Sequence, residues 1–123
     1  MIIITHIMKL HKEERKMDED EVYLEHVILD LTNCKNINDF WERVKLAFEF
    51  QDHFGKNWDA FWDMLEFECP AHKVTVIGAN ALPESWKTAK GISFPEMIGV
   101  LLQRNKELFE KYNEEFDYEF IDE

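Results

Sequence analysis

The residues of this 123-residue chain best placed to do chemistry are carboxylates. Asp59, Asp63 and Glu66 recur at intervals of four and three, which at about 100° per residue puts them on one side of an α-helix, with Asp52 upstream on the same azimuth. Trp58, Phe61, Trp62 and Leu65, at i, i+3, i+4 and i+7, take the adjacent side. Like charges at these spacings repel by roughly 0.2–0.5 kcal/mol per pair, and aspartate is a weak helix former. A helix shaped by stability alone would place a lysine among them. An uninterrupted carboxylate stripe can act as acid and base in hydrolysis, hold Mg²⁺, or meet the cations of another macromolecule.

The first two uses need companion groups that are missing. The four glycines, Gly55, Gly78, Gly91 and Gly99, are scattered and build no phosphate-cradling loop. Ser85 and Ser93 are the only serines, and neither sits in a nucleophile elbow. His6, His11, His26, His53 and His72 show no i, i+4 pairing, and Cys69 with His72 supplies two ligands where structural zinc takes four. The chain therefore reads as a non-enzyme without metal or cofactor. Its stripe is either an ordinary solvated face or a binding surface, and Trp58 and Trp62 are either core or contact residues, with at least one of them expected to be partly exposed.

The elements that must position the stripe alternate along the chain. Val27-Ile28-Leu29-Asp30-Leu31 predicts a mostly buried strand. A helix follows, capped by Asn36 or Asn38, with Ile37, Phe40, Trp41, Val44, Ala47 and Phe48 on its apolar side. Gly55 punctuates, and the acidic helix runs from about Asn57 to Phe67 until Pro70 stops it. Lys73 to Ile77 predicts a second buried strand closed by Gly78, and residues 79–92 a short helix or irregular loop. Ser93-Phe94-Pro95-Glu96 is a capping box that opens a helix bearing Met97, Ile98, Leu101, Leu102, Leu108, Phe109 and Tyr112. Phe116 to Ile121 alternates like an edge strand with one wet face. Strands separated by helices predict an α/β domain with a small, mainly parallel three-stranded sheet packed with helices.

Twenty-six acidic against fourteen basic side chains leave a net charge of −12, which excludes a nucleic-acid binder and docking on anionic membranes, and favours a basic partner. The 46% hydrophobic content is enough for a single core. Cys34 and Cys69 make no disulfide framework, and the apolar start is too short for a membrane span and lacks a signal peptide's charged region and cleavage site; a cytoplasmic location is expected. From Lys12 to Glu21 every residue but Met17 is charged, which divides an N-terminal extension, residues 1–21, from a domain at 22–123. Ile2 to Leu10 could add an edge strand. Alternatively, the purine-rich coding of Lys12 to Lys16 suggests a ribosome-binding sequence and a start at Met17, which the intact mass of the natively expressed protein would reveal.

The stretch from His53 to Leu65 resembles the inhibitory segment of the barstar family, intracellular inhibitors of the ribonuclease barnase. Gly55, Asn57, Asp59, Ala60, Trp62, Asp63 and Leu65 match in unbroken register, and the order of elements from Val27 to Phe116 matches as well. The resemblance implies an antitoxin or immunity protein, monomeric and binding a cognate ribonuclease toxin one-to-one through the helix and the loop before it, with its aspartates in the places of substrate phosphates. It implies that Asp63 takes the most buried position, Asp59 reinforces it, Gly55 and Asn57 shape the loop and Trp62 flanks the contact. His53 stands where the family has tyrosine, Phe54 is its neighbour, Trp58 replaces an aliphatic residue, and Glu66 and Phe67 replace small ones. The family also contributes an acid from its last helix, for which Glu110 is the nearest counterpart. These departures rebuild the contact surface, so the target need not be barnase. The alternative is an acidic interaction module or nucleic-acid mimic that binds a basic protein other than a nuclease.

Overall fold

A computed structural model describes residues 26–68 and 71–123. The proposed N-terminal strand, the charged connector, Cys69 and the stop at Pro70 lie outside them. The described elements run β1 (Val27–Asp30), α1 (Ile37–Phe48), α2 (Trp58–Glu68), β2 (Lys73–Ile77), a 3₁₀ turn (Ala79–Ala81), α3 (Phe94–Glu110) and β3 (Asp117–Ile121). The strands form one parallel sheet in the order β1-β2-β3, with Val27 opposite Val74 and Val74 opposite Tyr118. This is the small α/β architecture that the alternation predicts.

Each helix begins where its residues dictate. Asn36, in extended conformation, accepts the Asp39 N–H at 2.7 Å and so is the cap of α1. Ser93 accepts the Glu96 N–H at 3.3 Å, with Pro95 in the first turn of α3. Val27, Leu29, Val74 and Val76 point into the core with Phe40, Val44, Phe61, Leu65, Ile98, Leu101 and Leu102. β1 departs from the expected mostly buried strand, because Ile28 and Asp30 face outward: the described helices cover one side of the sheet, so its edge strand alternates. Ile37 is also 44% exposed, at the first position of α1, where the apolar stripe runs past the packed layer. Asn105 is fully buried on the core side of α3, a polar residue that hydrophobic periodicity passes over.

Arg43 ties α1 to the chain leaving β1. It donates to the carbonyls of Asp30 and Thr32 at 3.1 and 2.6 Å and pairs with Asp39 at 3.2 Å. Gly78, at φ 77°, closes β2; a Cβ there would stand 3.2 Å from the Thr32 backbone nitrogen, so a side chain would be both strained and crowded. Among the described residues no helix is long and apolar enough to cross a membrane.

Candidate functional site

Trp58 and Phe61 of α2 are seated among aromatic rings from the rest of the fold. Trp58 packs edge-on against Trp41 and Phe94, with ring centres 4.9 and 5.0 Å apart, and tilts against Phe40 at 5.6 Å. Phe61 meets Phe48 at 5.4 Å, and Phe48 stacks on Phe50 at 5.2 Å. Phe50 in turn contacts Phe54 at 4.9 Å. Large rigid rings fix a helix at little cost in side-chain entropy, which gives α2 a firm base from α1 and α3. Trp58 is thus half-buried against the core, and its size compared with an aliphatic residue is explained by the rings beneath it.

The loop into α2 is built by its own side chains. The Asn57 amide donates to the Gly55 carbonyl at 3.1 Å, while its oxygen accepts the Ala60 N–H at 2.8 Å. One side chain therefore closes the turn and caps the helix. Gly55 is required by space: a Cβ there would stand 3.1 Å from the Ala60 Cβ. Lys56 holds a left-handed conformation at φ 52°, and its ammonium pairs with Glu42 of α1. That hydrogen bond and charge hold the Glu42 carboxyl below the usual carboxylate range. Phe54, expected among the contacts, is only 5% exposed and supports the loop from inside the core. His53 beside it is exposed.

On the outward side of α2, Asp59 and Asp63 are exposed and make no hydrogen bond or ion pair among the described residues. Asp59 lies in the first turn, where the helix dipole favours an anion. Glu66 lies in the last turn, where the dipole opposes it and no basic residue compensates. Glu66 is partly covered, and its Oε1 is buried without a hydrogen-bond partner among the described residues. Phe67 is half-buried beside it. Asp52 does not extend the stripe: it belongs to the loop, exposed and paired with Lys45 of α1 at 3.0 Å, and that bond lowers its pKa. The azimuth fails because the chain is not helical between α1 and α2.

Trp62 is half-buried at the edge of α2, with the Arg104 guanidinium of α3 5.9 Å from its ring centre. Arg104 and the Lys56–Glu42 tie had no signal in the sequence, because each joins helices distant along the chain. Glu110 is exposed on the other shoulder of α3, lining an open cavity of about 480 Å³ with Lys106, Asp117 and His72. Six residues of helix, about 240° of rotation, separate it from Arg104. Among the described residues no three His, Cys, Asp or Glu side chains gather as a metal site.

The arrangement presents two aspartates, without a partner among the described residues, on a rigid helix beside an aromatic edge and a shaped loop. A search of the curated proteins returns no match to the chain. The family model for barstar, described as barnase inhibitor, matches residues 24–120 and so spans the whole helix-and-sheet domain. The chain belongs to the barstar family.

Proposed function

We propose that the protein is an intracellular antitoxin or immunity protein, which inhibits a ribonuclease toxin by plugging its active site with α2 and the loop before it. The observation that carries this reading is the exposure of Asp59 and Asp63, one turn apart on a helix fixed from behind, with no internal partner among the described residues. A ribonuclease must offer cations to its substrate phosphates, and two rigid carboxylates meet those cations without a cleavable bond. Asp63 is the central contact and Asp59 its support; Trp62, Glu66 and Phe67 flank them, and Gly55, Asn57 and His53 form the loop rim. Glu110 is the candidate acid from α3. The net charge of −12 speeds encounter with a basic target, and the complex is one monomer to one toxin.

The test is co-expression with a candidate basic ribonuclease, barnase being the first and any nuclease found encoded beside this gene the second, alongside ribonuclease assays on purified pairs. The wild type is expected to protect cells and to inhibit RNA cleavage. Asp63→Ala is expected to lose most of that inhibition while its unfolding curve stays within about 0.5 kcal/mol of wild type. Removing one partner of a buried, hydrogen-bonded charge pair at an interface costs about 2–5 kcal/mol. If Asp59→Ala and Asp63→Ala both protect like wild type, α2 is not the inhibitory surface.

A further inference from the structure

Arg104 brings a cation to the edge of the acidic helix. It is exposed on α3, and its guanidinium lies 5.9 Å from the centre of the Trp62 ring of α2. Asp59 and Glu66 stand three residues before and four after Trp62, about 60° and 40° around the helix, so the cation borders the carboxylate stripe on their side. Elsewhere Arg43, Lys45, Lys56, Lys73 and Lys106 each hold an acid at 3.3 Å or closer. Arg104 pairs with none among the described residues, in a chain with 26 acidic side chains to 14 basic ones. Glu66 does not neutralise it, since its Oε1 is buried without a hydrogen-bond partner among the described residues. The contact with the ring attracts the guanidinium charge but gives its fork of N–H donors no acceptor.

We propose that Arg104 is a specificity-determining residue of the inhibitory face, which pairs with a carboxylate of the target ribonuclease beside the cations that Asp59 and Asp63 meet. The inference rests on the inhibitor reading and deepens it. RNA offers a nuclease only anions along its backbone, so a plain copy of the substrate would carry carboxylates alone. A cation fixed at the border of the stripe answers to the enzyme instead. Cleavage of RNA needs a base for the attacking hydroxyl as well as cations for the phosphate, and carboxylates serve as such bases. The planar guanidinium meets a carboxylate with two parallel hydrogen bonds, and Trp62 against it reduces the freedom lost on pairing. The same charge repels a basic protein that carries only cations at this place. The face thus reads positive groups with a negative one beside them, and so distinguishes one basic ribonuclease from another.

The test measures binding of the full chain to the ribonuclease it inhibits, barnase being tried first. Arg104→Met keeps an apolar stem against Trp62 and removes the charge; it is expected to weaken binding ~10-fold while Tm stays within ~2 °C of wild type. Arg104→Lys is expected to recover part of that loss and Arg104→Glu to weaken binding ~100-fold. Replacing the acidic residues around the enzyme's active site one at a time is expected to find one whose loss weakens the wild type ~10-fold and leaves Arg104→Met unchanged, the mark of a direct pair. Wild-type binding by Arg104→Met, tighter binding by Arg104→Glu, or no enzyme acid coupled to Arg104 would overturn the proposal. If Asp63→Ala loses inhibition while the Arg104 variants keep it, this inference falls and the inhibitor reading stands. If Asp63→Ala and Asp59→Ala also inhibit like wild type, both fall.

Discussion

The two sides of α2 are built on opposite terms. The inner side, Trp58, Phe61 and Leu65, is held by rings of α1, α3 and the connecting loop, and every group there answers to a neighbour within the molecule. On the outer side, Asp59 and Asp63 have no hydrogen-bond or ion-pair partner among the described residues, and neither does the buried Oε1 of Glu66. One side is explained by folding. The other is disfavoured by charge repulsion and, at Glu66, by the helix dipole, and the proposed binding of a basic partner would supply its rationale. Rigidity behind and unmet charge in front are what an inhibitor needs, because a preorganised helix loses little freedom on binding.

The contrast can be broken most strongly from the inner side. Phe61→Ala removes a fully buried ring from between Phe48, Phe50 and Trp41, and is expected to destabilise the fold by about 3–5 kcal/mol in urea unfolding. A loss below 1 kcal/mol would mean that the rings do not seat α2. Asn57 joins the two sides. Asn57→Ala loses both the cap and the loop closure, and is expected to cost about 1–2 kcal/mol in thermal unfolding and to weaken inhibition as well. Asn57→Asp, which keeps the cap acceptor but not the donor to Gly55, should recover part of the stability and less of the inhibition.

The smallest effect is in pH. Glu42 and Asp52 have carboxyls lowered by Lys56 and Lys45, so their ion pairs support the fold above the ordinary carboxylate range. That support is lost as pH falls through their depressed folded values, below about 4. Both pairs are exposed, so the loss is modest, and it should be seen first as faster amide exchange in residues 52–57. In Glu42→Gln, the Lys56 share of this acid sensitivity should vanish. If exchange there is the same in the variant and the wild type across the whole acid range, the Glu42 tie does not hold the loop.

Much of this was legible from residue order. Periodicities of two and three to four residues, Asn36, Ser93 and Gly78 gave the strands, helices and their ends, since these depend on local geometry and nearest polar neighbours. The charge spacing at 59, 63 and 66 marked the face of α2, and a local motif from Gly55 to Leu65 pointed to the family. The same helical arithmetic failed at Asp52, where it was carried across a loop, and the resemblance gave no sign that Phe54 is buried against Phe50 and Trp41.

The sequence by itself determined which elements form and which helix carries the acids, because backbone propensity, capping and the period of apolar residues are local properties. Only the tertiary structure decided that Phe54 is buried beneath the loop, that Lys56 is tied to Glu42, and that Arg104 lies over Trp62. It also decided that the described helices pack on one side of the sheet. These outcomes depend on residues far apart in the chain being brought within a few ångströms, and no spacing along the chain encodes that distance.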